Sequence, residues 1–108
     1  MSVRFATQLR SNGPALELDR PGPGTITFRV EAADLWDAAR VLARPERPVA
    51  EVKARALEYF FPDQQYPTDF VLKFRGWEIL DDNAMLADVG ITDGSILLLA
   101  VRRRRPVR

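Results

Sequence analysis

Ile26, Phe28 and Val30 alternate with Thr25, Thr27 and Arg29. An apolar residue at every second position puts one face of a strand on a core, and the β-branched and aromatic types here favour that state. Residues 39–44 alternate more weakly, as Ala39, Val41 and Ala43 against Arg40 and Arg44, and Pro45 stops the run. The two stretches predict a pair of strands joined through residues 31–38, with Trp36 near the tip of the connection. Beyond Pro48 the period changes. Val49, Val52, Ala56, Leu57 and Phe60 recur at three to four residues with Glu51, Lys53, Arg55 and Glu58 between them, which predicts an amphipathic helix bounded by Pro48 and Pro62. Residues 70–75 alternate again, Gly76 interrupts them, and residues 77–80 make a short strand before the Asp81-Asp82-Asn83 turn. Residues 85–91 form one helical turn ending at Gly90. Thr92-Asp93-Gly94 turns the chain into a last, almost wholly apolar strand over 95–101.

The N-terminal region is patterned differently. Residues 3–9 and 15–19 alternate around Asn12-Gly13, a dipeptide suited to a tight turn, so they predict an extended arm or hairpin. Arg20-Pro21-Gly22-Pro23-Gly24 then lacks the amide donors and the stiffness that a strand or helix needs, and reads as a linker. The expected organisation is an arm and linker over 1–24, one domain over 25–101, and a basic tail over 102–108. One helix covers one face of a sheet, so an α+β layer follows, with the other sheet face left largely to solvent.

Composition narrows the chemistry. The 108 residues include neither cysteine nor histidine, which removes disulfides, thiolate nucleophiles, imidazole acid–base catalysis and the usual zinc ligands. No nucleophile, base and orienting group stand together, so no enzymatic activity and no cofactor are expected. Asp81, Asp82, Asp88 and Asp93 sit at turns without the spacing of a cation loop, and are read as turn chemistry with no metal. The longest apolar run, 96–101, is far below membrane-spanning length, and a basic stretch followed by an apolar one is absent from the start, so a cytoplasmic protein is expected. Five arginines, Arg102, Arg103, Arg104, Arg105 and Arg108, fall in the last seven residues. Removing those five from the net charge of +1 leaves residues 1–101 at −4.

The order strand, strand, helix, strand, short strand, strand, together with particular residues, resembles the ubiquitin family. The residues that carry the likeness are Pro45 after the second strand, Val49 four positions on, and Val52-Lys53-Ala54-Arg55 in the helix. Pro62-Asp63-Gln64-Gln65, Phe74-Arg75-Gly76, and Gly90-Ile91 through Ser95 to Leu99 continue it. Their ordered co-occurrence covers residues 25–105. The resemblance implies a β-grasp fold, a mixed sheet packed on one helix, and a bacterial ubiquitin-like protein that works by binding other proteins. Conjugated members of that family end in a diglycine. Here the last glycine is Gly94, and the final residues are Arg105, Pro106, Val107 and Arg108.

In the family's register Leu97, Leu99 and Val101 face the helix, while Ile96, Leu98 and Ala100 face outward. Val71 and Lys73 on the neighbouring strand would join them, with Trp77 close by, at the surface by which ubiquitin-like proteins are gripped. The alternative is that the arm folds over these residues and makes them core. Trp36 reads equally as a partner anchor or as packing on its own domain. Residues 1–24 are either a self-packed extension or a strand donated to the open sheet edge of a second copy, which would make a homo-oligomer. No aromatic residues interleave with the tail arginines, so a solvated tail or a contact to an acidic protein is favoured over nucleic acid. Two functional readings follow. One is a modifier handled through its tail by activating and conjugating enzymes, as in antiphage conjugation operons. The other is a non-conjugated adaptor or assembly subunit, as in type VII secretion loci.

Overall fold

The computed structural model describes residues 15–64 and 66–102. In chain order the elements are β1 (Ala15–Glu17), β2 (Ile26–Ala32), β3 (Asp37–Ala43), α1 (Val49–Phe60), β4 (Phe70–Phe74), β5 (Trp77–Glu78), α2 (Leu86–Val89) and β6 (Ile96–Val101). The strands form one mixed sheet in the order β1-β3-β2-β6-β4-β5. The parallel partners β2 and β6 lie near its centre, and β2–β3, β4–β6 and β4–β5 are antiparallel.

Alternation sets the core. Phe28, Val30 and Ala32 of β2, Val41 and Ala43 of β3, Leu72 of β4, and Leu97 and Leu99 of β6 are buried with Val49, Val52, Ala56, Leu57 and Phe60 of α1 in one cluster. Each fully buried aliphatic or aromatic side chain contributes about 1.5–3 kcal/mol relative to exposure. These central strands and this helix therefore hold most of the driving force. The chain between β5 and α2 closes the start of α1: the Val49 and Ala50 N–H groups donate to the carbonyls of Ala84 (2.9 Å) and Asp82 (2.7 Å). Those donors have no partner inside a helix. One turn of α2 buries Leu86 and stops at Gly90, whose φ of +100° lets the Ile91 N–H return to the Leu86 carbonyl at 3.0 Å.

Local details depart from the alternation. β3 begins at Asp37, two residues before the apolar pattern starts, because Ala38 and Asp37 continue the ladder opposite Glu31 and Ala32. A 3-10 turn over Ala33–Leu35 takes up the rest of the connection. β5 shortens to two residues, although the Ile79 N–H still reaches the Leu72 carbonyl at 2.8 Å.

Residues 15–19 belong to the same packed unit as the rest. Ala15–Glu17 runs parallel to β3, Leu16 is buried opposite Val41 in the core cluster, and Leu18 packs against that cluster. Asp19 fastens the end of this segment to the entry of α1. Its carboxylate accepts from the Arg47 Nε (2.9 Å), the Arg47 guanidinium again (2.8 Å) and the Arg44 backbone N–H (2.9 Å). These bonds, led by that from Arg47, lower the Asp19 pKa from 3.8 to about 2. The same bond and one to Glu51 raise that of Arg47. The expected strand over residues 3–9 and its Asn12-Gly13 turn lie outside the described residues.

Candidate functional site

The face of the sheet away from α1 carries the second set of alternating side chains. Directly opposed residues of neighbouring strands share a face, so the register defines its rows. Arg29 stands beside Ile96. Glu31, Leu98, Lys73 and Glu78 form the next row across four strands, and Ala100 stands beside Val71. Ile96 is 51% exposed, Leu98 and Ala100 are half-buried, and the three run in line along β6. An apolar stripe is thereby laid down the middle of a charged surface.

The charges around it are not equivalent. Arg29 and Glu31 approach to 3.7 Å on the same strand. Arg102 reaches across β4 to Glu78 at 2.6 Å, and its backbone N–H donates to the Asp69 carbonyl. Lys73 makes no ion pair among the described residues. Glu78, directly opposite Lys73, is taken by Arg102, so a cation without an ion pair lies beside an exposed aliphatic stripe, which suits a partner that brings an apolar side chain and an acid together.

Of the outward residues expected from the sequence, Ile96, Leu98, Ala100 and Lys73 meet on this face as anticipated. Val71 also points there but is only 5% exposed, lining a depression with Asp34, Glu78, Ala100 and Arg102. Arg102 is thus a fixed part of the surface, while Arg103, Arg104, Arg105, Pro106, Val107 and Arg108 lie outside the described residues. Trp77 does not join the face. It pairs opposite Phe74, whose ring packs against the core, so it projects on the helix side of the sheet and is 79% exposed. Glu78 takes the open-face position instead. Neither β1 nor residues 18 and 19 cover the stripe, since Leu16 and Leu18 pack on the core side.

Trp36 is exposed: its residue is 96% accessible. Its φ of +53° is left-handed, which a non-glycine residue rarely adopts and which recurs at binding sites. It borders the open face at the end where β6 finishes, lining a shallow depression with Glu31, Ala38 and Leu98. Sequence reading missed the Arg102–Glu78 bridge, because nothing in the pattern links positions 24 apart across an intervening strand.

Two of the turn aspartates bond to backbone through their side chains. Asp93 accepts from the Thr27 N–H at 2.7 Å and Asp81 from the Asn83 N–H at 3.0 Å. Among the described residues no group of three or more histidine, cysteine or acidic side chains is arranged to hold a metal, and no helix is long and apolar enough to cross a membrane.

No protein-family model and no curated protein matches the sequence. Solved structures do match. A de novo designed protein based on ubiquitin superposes with a TM-score of 0.63 at 21% identity, over 81% of this chain and 100% of that one. Caldiarchaeum subterraneum ubiquitin gives 0.64 at 18% identity, over 75% of this chain and 98% of its own. The ubiquitin-like domain of an Arabidopsis thaliana protein gives 0.60 at 16% identity, over 84% and 92%. The fold is a ubiquitin-like β-grasp, as the order of elements predicts.

Proposed function

We propose that this chain is a protein-binding module that receives a partner on the open face of its sheet. Ile96 and Leu98 supply the apolar contacts, and Lys73 and Arg29 the cationic rim. The observation that carries the reading is the half-exposed Ile96 on β6, in line with Leu98 and Ala100 and beside an ammonium without an ion pair. The fitting partner is a protein segment with aliphatic residues next to carboxylates, in the manner of an adaptor or assembly subunit working in the cytoplasm. Its activity on this reading is binding and not catalysis, in keeping with a sequence that has neither cysteine nor histidine. The test is co-purification of tagged protein from its native cells, comparing wild type with Leu98→Lys and with a chain ending at Arg102. Partners lost with Leu98→Lys and retained after truncation support the reading. Partners that survive Leu98→Lys refute it.

A second reading is favoured by how β6 ends. Arg102 is held at its backbone and its side chain, so the following residues leave from a fixed point beside the open face. That suits a modifier whose tail is handled by activating and conjugating enzymes, as in bacterial antiphage conjugation pathways, and the likeness to an archaeal ubiquitin supports it. A denaturing immunoblot decides. High-mass bands that vanish when the chain ends at Val101 establish covalent attachment, and a single band in both strains excludes it.

A further inference from the structure

The sheet ends on β1, whose outer side has no strand beside it among the described residues. A strand turns its backbone groups alternately to its two sides. The Leu18 N–H donates to the Leu42 carbonyl at 2.9 Å, so Leu16 and Leu18 bond inward while Ala15 and Glu17 turn their N–H and C=O groups to the open edge. There the Glu17 carbonyl is met by the Arg55 guanidinium at 3.3 Å, and a carbonyl has a second lone pair to offer. An edge of this kind is a template for another extended segment.

Alongside the edge, on the helix side, lies a groove of about 650 Å³ whose apolar lining is Leu18, Ala54, Leu57, Phe61, Pro62 and Pro67. The four charges at its rim are taken up in pairs, Arg47 with Glu51 at 2.8 Å and Arg55 with Glu58 at 3.8 Å. Such a groove suits an uncharged, apolar occupant. Gln64 completes the lining, and its Oε1 is buried without a hydrogen-bond partner among the described residues. A buried acceptor left unpaired is costly, so the fitting occupant also brings a donor.

The sequence before Ala15 meets each demand. Residues 1–14 lie outside the described residues, and the chain passes from them directly into β1. Ser11-Asn12-Gly13-Pro14 is a run of turn-forming residues. A loop of those four sets Arg10 opposite Ala15, Leu9 opposite Leu16 and Gln8 opposite Glu17. Directly opposed residues share a face, so Leu9, and with it Thr7, Phe5 and Val3, takes the core side with Leu16. Arg4, Ala6, Gln8 and Arg10 take the other side. The charges of the segment thus fall outside the groove and its large apolar side chains fall on it, with the Thr7 hydroxyl as a donor on the same face. A slip of one position would reverse the two sets, so turn chemistry and alternation select the same register independently. Seven extended residues reach about 23 Å at roughly 3.3 Å each, enough to follow the twelve residues of α1, about 18 Å long.

We propose that residues 3–9 pair along the outer edge of β1 within the same chain and lay Val3, Phe5 and Leu9 into the groove beside α1. The six-stranded sheet gains a further strand, and the edge that a second copy would use is closed. Edge and groove lie apart from Ile96 and Leu98, so this contact is independent of binding at the open face.

The test is nuclear magnetic resonance of the isotope-labelled full chain. Leu9 and Leu16 form a pair whose backbone groups point away from each other, which brings their α-protons together. A strong Overhauser contact between those protons is expected, with the Gln8 and Glu17 amides protected from exchange. In a one-to-one mixture of labelled and unlabelled chains, that contact should be missing from a spectrum that selects contacts between different chains. Phe5→Ser should lower both the urea midpoint and the intensity of the contact, while Arg4→Ser, on the other face, should change neither. Disordered-chain shifts over residues 3–9, a register that sets Gln8 against Leu16, a contact found only between chains, or equal effects of the two substitutions would each overturn the proposal.

Discussion

Leu16→Ala tests whether the segment before the linker is structural. Leu16 lies on a three-residue strand at the edge of the sheet, yet it is buried in the same cluster as Val41 and Leu57. Truncating a buried leucine removes its transfer free energy and leaves a cavity, at a cost of 2–5 kcal/mol. An edge position can relax by letting the strand move inward, so the low end applies and about 2–3 kcal/mol is expected. Since such domains are stable by only about 5–15 kcal/mol, this is a large share. The thermal midpoint should fall by roughly 10–20 °C. Urea unfolding followed by far-UV circular dichroism should show a lower midpoint with an unchanged slope. The control is Leu80→Ala at an exposed position, expected within about 0.5 kcal/mol of wild type. If Leu16→Ala behaved like that control, residues 15–19 would not be part of the packed unit.

Gly90→Ala should destabilise by about 1–2 kcal/mol in the same assay, through the left-handed φ and not through crowding, because a Cβ there would meet the Phe74 ring at an ordinary 3.7 Å. The Asp19 carboxyl has its folded pKa lowered from 3.8 to about 2, so between those values the unfolded chain binds more protons. Stability from this group is complete above about pH 4 and is lost as pH falls to about 2; unfolding midpoints measured from pH 2 to 5 should show that slope, and Asp19→Asn should remove its share of it. Arg102→Ala should change stability by under about 1 kcal/mol, as for other exposed ion pairs. Since Arg102 and Val71 line the same depression, the substitution should also expose Val71 further, seen as increased solvent paramagnetic relaxation of the Val71 methyls.

Much of this architecture is written in the spacing of apolar residues. The strict alternation of β2, the three-to-four spacing from Val49 to Phe60 and the apolar run of β6 each led to the right element, and their order led to the fold. What the sequence concealed are long-range and register effects. Residues 15–17 alternate as an isolated strand would, and only the tertiary pairing to β3 shows where Leu16 goes. Trp77 follows a two-residue turn through Arg75 and Gly76, both at positive φ, which seats it opposite Phe74. A shift of one position would have moved it to the open face, and composition does not encode that choice. The outward set on β6 was legible because Leu97 and Leu99 must be buried, which sends Ile96, Leu98 and Ala100 the other way. The burial of Val71 was not, because alternation gives the face and not its neighbours, and here Arg102 and Glu78, which pair across β4, line the same depression.

The most direct measurement of the central claim is site-specific photocrosslinking in native cells, with a photoreactive residue in place of Leu98 on the open face or of Glu58 on α1 in the opposite layer. The account predicts a discrete protein adduct from position 98 and none from position 58. Adducts from position 58 alone, or from neither, would contradict it.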